Sequence, residues 1–183
     1  MNENRFTPLM YCHLFALILV AVVSAVSFSA LLNGDAALSL SGIWIHASLL
    51  LSVICGILYL CSGYSKRSAI YYKAFMLLKV FSNLFHLNIA VAHRGFDLAA
   101  IIICVKIILL LALAFWKNLG KKNTWILFYI LLTADLFYGI YFALNKVTLH
   151  MIVSDTLANL LTDGTIGLAI KGKYDDKDAR GTI

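Results

Sequence analysis

The sequence predicts an all-α integral membrane protein, a compact bundle of six transmembrane helices with both termini in the cytoplasm. Three observations predict it. Of 183 residues, 62% are hydrophobic, 13% are charged and one is proline; a soluble domain is about half apolar and about a quarter charged. The apolar residues gather into six segments, each near the ~20 residues that a helix needs to cross a bilayer. The basic residues gather in the loops that a single topology places on one side of the membrane. Such a composition excludes an ordinary soluble enzyme and a disordered chain. Segments of this length also exclude barrel strands, which need only about 9–11 residues.

The first segment, Leu9–Leu32, has no charged residue and follows only Arg5. It is longer than the apolar region of a signal peptide, about 7–15 residues, so it is expected to stay in the protein. The second, Leu40–Cys61, is set off by the turn-forming Asn33-Gly34-Asp35. The third, Ala69–Ala92, contains Lys73 and Lys79, and the fourth, Leu98–Trp116, contains Lys106. The fifth, Thr124–Leu144, contains Asp135. The sixth, Val147–Ile170, is the most polar, with His150, Asp155, Asn159 and Asp163. Residues 1–170 thus form the membrane domain. Residues 171–183 form a short charged cytoplasmic tail able to touch anionic headgroups.

Orientation follows from the cations. With six spans and a cytoplasmic start, eleven basic residues fall inside: Arg5, Lys66, Arg67, Lys73, Lys117, Lys121, Lys122, Lys171, Lys173, Lys177 and Arg180. Only Arg94 and Lys146 fall outside. This asymmetry points to a multi-pass protein of the cell's inner (plasma) membrane. The net charge of +6 is therefore a topology signal, and no nucleic-acid partner is expected. The partners expected are the lipid bilayer, a small polar solute or ion, and further copies or subunits of a membrane complex.

Ionisable residues within spans cost roughly 2.5–3.5 kcal/mol each at the bilayer centre on insertion scales, so their positions carry meaning. On the sixth segment Asp155, Asn159 and Asp163 recur every four residues, with Thr162 on the same side. On the third, Lys79, Asn83 and His86 make a second stripe. Lys106 and Asp135 sit mid-span at about the same depth. Opposite charges at one depth predict pairing, Asp135 or Asp155 with Lys79 or Lys106. Lys79, Asn83, Lys106, Asp135, Asp155, Asn159 and Asp163 are the predicted solute- or ion-binding set, and Lys73 is expected to snorkel.

Histidines form a separate pattern. His46, His86 and His150 lie toward the outer leaflet in this topology, where imidazoles on different helices are candidates for haem b or a metal ion. No pair has the i, i+4 spacing of a helical metal site. Cys12, Cys55, Cys61 and Cys104 show no CxxC spacing. Tyr11, Trp44, Tyr64, Tyr71, Tyr72, Trp116, Trp125 and Tyr141 read as interfacial anchors. There is no G-x-S-x-G frame and no HExxH, and no catalytic residue is assigned. The function expected is a transporter, channel or membrane-embedded solute-binding subunit with a polar midplane site. The alternatives are a non-catalytic membrane partner, such as an assembly or immunity factor, and a redox subunit holding haem or metal on the histidines.

Overall fold

The computed structural model describes residues 7–32, 40–62, 66–115, 120–144 and 149–180. Among them are six helices and no strand: α1 (Pro8–Leu32), α2 (Leu40–Cys61), α3 (Lys66–Arg94), α4 (Leu98–Phe115), α5 (Lys121–Leu144) and α6 (Leu149–Arg180). The first five are long and apolar enough to cross a membrane. The helices follow the predicted segments closely, with three extensions, of which one starts α5 at Lys121 rather than Thr124. The third helix begins at Lys66, ahead of its apolar run. The sixth continues to Arg180, through the segment read as a tail. That extension places opposite charges four residues apart, Lys171 with Asp175 and Asp176 with Arg180, a spacing that supports helix in water.

Neighbours in sequence are neighbours in space, and α6 closes the bundle by packing on α5, α1 and α2. Consecutive helices run antiparallel. Tyr59, late in α2, packs at a tilt against Tyr72, early in α3, with centroids 5.5 Å apart. At the opposite end Trp44, early in α2, stacks on Phe85, late in α3. The turn from α3 to α4 needs Gly95, whose φ of 74° is costly for other residues. Asp97 then caps α4, its Oδ1 accepting the Ala100 amide at 3.0 Å.

The first and last helices are also antiparallel. His13, near the start of α1, bonds Thr165, at the middle of α6, at 2.9 Å. Gly164 makes this approach possible: a Cβ there would lie 2.5 Å from His13 Cε1. Two apolar clusters fill the bundle. One joins Phe75, Met76, Leu110, Phe128, Leu131 and Ile166 from α3, α4, α5 and α6. The other joins Leu17, Val53, Leu60 and Ala169 from α1, α2 and α6. α6 contributes to both, so it is the shared wall between the two halves. By contrast Phe15, Leu19, Val22, Val23 and Val26 of α1 are exposed. A contiguous apolar face of that extent fits lipid rather than water.

Candidate functional site

At the centre of the bundle four helices each contribute one charge. Lys79 of α3 pairs with Asp163 of α6. Lys106 of α4 pairs with Asp135 of α5 at 2.5 Å. All four side chains are buried by the protein itself, none more than 4% exposed. Lipid burial is therefore not what hides them, and neither lysine snorkels to an interface. Lys73, by contrast, is exposed, as expected of a lysine reaching along the surface.

The Lys79 ammonium has three donors, and three acceptors meet it. They are Asp163 Oδ1, Thr162 Oγ1 at 2.8 Å and, more distantly, the Asn159 carbonyl at 3.5 Å. Thr162 in turn donates to that same carbonyl at 2.8 Å. No Cα of α3 lies within 8 Å of α6 among the described residues. The long lysine side chain thus bridges a gap that the backbones leave open. Asn83 lies one turn along α3, buried, its Nδ2 donating to the Lys79 carbonyl at 2.8 Å.

The second pair has a different environment. The Lys106 ammonium sits 5.1 Å from the centroid of the Tyr138 ring, a cation–π distance. The same tyrosine meets His86 edge-on, with centroids 6.5 Å apart. The two ion pairs also adjoin each other, because the Asp135 and Asp163 carboxyls, on the packed helices α5 and α6, are close neighbours. Each has one oxygen on its lysine. The other oxygen of each, Asp135 Oδ2 and Asp163 Oδ2, is buried without a hydrogen-bond partner.

The structure thus brings together Lys79, Asn83, Lys106, Asp135 and Asp163, with Asn159 contributing its carbonyl. The side chains of Asp155 and His150 lie outside the described residues. Of the pairings anticipated, Asp135 with Lys106 is present. Lys79 takes Asp163 rather than either acid named for it, because the offset of α3 against α6 puts the Asp163 turn at its level. His86 is engaged with Tyr138, while His46 Nδ1 is buried without a partner. Among the described residues no group of three or more His, Cys, Asp or Glu is arranged to hold a metal ion. Sequence reasoning missed three participants. Tyr72, taken for an interfacial anchor, lies near Asp163. Thr165 and His13 tie α1 to α6. The signal available was the small-residue stretch Gly164-Thr165 beside Asp163, which permits a close approach to an aromatic ring.

Six helices, five of membrane-spanning length and apolarity, around a buried charge cluster define a polytopic α-helical membrane protein. No family model, curated protein or solved structure matches the chain.

Proposed function

We propose that the protein is a small six-span transporter, channel or membrane-embedded solute-binding subunit, with both termini cytoplasmic, and that its midplane charge cluster is the site where an ion or polar solute is handled. The observation that carries this reading is the joining of two buried Lys–Asp pairs, from four helices, through carboxylates that keep unpartnered oxygens. A bundle that needed only cohesion would be as stable with apolar residues, since replacing a buried ion pair by well-packed hydrophobic groups is often neutral or stabilising. The sixth span has its own support. The His13–Thr165 bond, which holds the middle of α6 against the first part of α1, supports it. From Thr165 back to Leu149 α6 then runs roughly 24 Å alongside α1 at 1.5 Å per residue. The cation asymmetry supports a cytoplasmic location for the Ile170 side of the bundle.

The test removes a whole pair rather than half of one. Lys79→Met combined with Asp163→Leu leaves no stranded charge, so the bundle should keep its helicity and its elution profile in detergent. Wild-type protein in liposomes on a solid-supported membrane should give a charge displacement when protons, sodium, potassium or small polar amines and acids are applied. The double variant should give none. Wild-type currents in the double variant, or no displacement by wild type, would refute the reading in favour of a non-catalytic membrane partner.

A further inference from the structure

The meeting of the two carboxyls leads further. An ionised carboxylate only accepts hydrogen bonds, whereas a protonated one also donates. Asp135 and Asp163 lie on α5 and α6, which pack antiparallel with Gly139 beside Thr156 and Gly167 beside Phe128, so their carboxyls are close neighbours; both are at least 98% buried, and each has an oxygen that no donor reaches. With both ionised, two like charges face each other where water does not screen them. One proton would turn that contact into an O–H···O⁻ bond, among the strongest hydrogen bonds in proteins.

We propose that Asp135 and Asp163 share one exchangeable proton and together form a proton-binding site at the centre of the bundle. The step is a protonation. An O–H bond forms on one carboxyl and the hydrogen is donated to the other, with no electron transferred. Two lysines and two carboxylates make a neutral cluster, and the proton gives it one positive charge. The hydrogen bond favours uptake and the added charge opposes it, which makes the proton exchangeable rather than permanent. The groups facing the pair are Lys79 and Tyr72 from α3 and Lys106 from α4; beyond them lie Tyr138 of α5 at Lys106, His86 of α3 at Tyr138, His46 of α2 near His86, and His13 of α1 at Thr165. Among the described residues the two lysines make the ionic contacts to these carboxylates, and each reaches the oxygen opposite the unpartnered one.

The assignment deepens the transport reading, since it names the coupling ion of that cluster, but its test needs no flux. A protonated carboxylic acid has an infrared carbonyl stretch that a carboxylate lacks. Wild-type protein in lipid, compared between mildly acidic and mildly alkaline pH, should show this band appear on acidification, and carboxyl-labelled aspartate should shift it. Asp135→Asn and Asp163→Asn should each abolish it, because an amide donates to the remaining carboxylate and leaves it ionised. Absence of the band from wild type at every pH would overturn the proposal, whatever the variants do. So would a band that survives either substitution, which would belong to another acid such as Asp155. A band displaced by sodium at constant pH would assign the site to a metal cation instead. A normal band in a protein that moves no charge would sink the transport reading alone.

Discussion

The two ion pairs at the centre of the bundle have the same chemical groups, nearly the same burial and different company. Lys79 is held by Asp163, Thr162 and a backbone carbonyl of α6, and it spans between helices whose described Cα atoms stay more than 8 Å apart. Lys106 is held by Asp135 and an aromatic face, between adjacent helices that pack directly. The first pair is a strut across the bundle and the second a clasp between neighbours. The carboxyl contact makes one unit of them, so a change at the strut is felt at the clasp.

The largest expected effect comes from breaking the strut on one side. Lys79→Met strands the Asp163 carboxylate in the interior and should cost roughly 3–5 kcal/mol of unfolding free energy, by analogy with buried pairs in soluble proteins. Lys106→Met should cost about 1 kcal/mol less, because it removes no bond to a hydroxyl. Unfolding in mixed micelles reads both, and equal losses would erase the distinction between strut and clasp.

A smaller effect tests how α6 is held in place to receive Lys79. Gly164→Ala puts a methyl group 2.5 Å from the His13 ring, and overpacking of this kind costs roughly 1–3 kcal/mol. His13→Ala should restore much of the loss when combined with it, since the shortened side chain frees the space. Failure of this rescue would mean that α1 and α6 are not in the contact described.

The smallest effect lies away from the cluster, at the cap of α4. The Ala100 amide and then the Tyr141 hydroxyl, at 2.7 Å, hold the Asp97 carboxyl below its usual range. A depressed folded value means that the cap's contribution is complete above the ordinary carboxylate range and lost as pH falls through the lower folded value. The Ala100 amide resonance should therefore titrate below the ordinary carboxylate range, and Asp97→Asn should remove that titration. The central pairs should not respond to this substitution.

The helices were legible because bilayer thickness sets a length and apolar residues fill it. The charged members of the cluster were legible for the converse reason: Lys79, Lys106, Asp135 and Asp163 interrupt apolar runs where lipid does not tolerate them. What periodicity could not give was the vertical offset between helices. Asp155 and Asp163 share a face of α6, and two turns of shift decide which of them meets Lys79. The bond between His13 and Thr165 was hidden for a similar reason, since a lone histidine near a helix start has many possible partners. The helical extension to Arg180 was hidden because its signal is charge spacing, not apolarity. Tyr72 looked like an anchor because its place near a span end is shared by true anchors; only the packing of α3 against α6 turns it inward.

The strut also has an order in time. Lys79 enters the membrane with α3, and its counter-charge lies 84 residues further along the chain, on α6. During synthesis the lysine waits without its acid, whereas Lys106 and Asp135 arrive on consecutive helices and can insert as a neutral hairpin. A chain that stops before α6 carries an unmatched cation in the bilayer, at a cost of roughly 2.5–3.5 kcal/mol on insertion scales. Lys79 is thus matched only once α6 is in place.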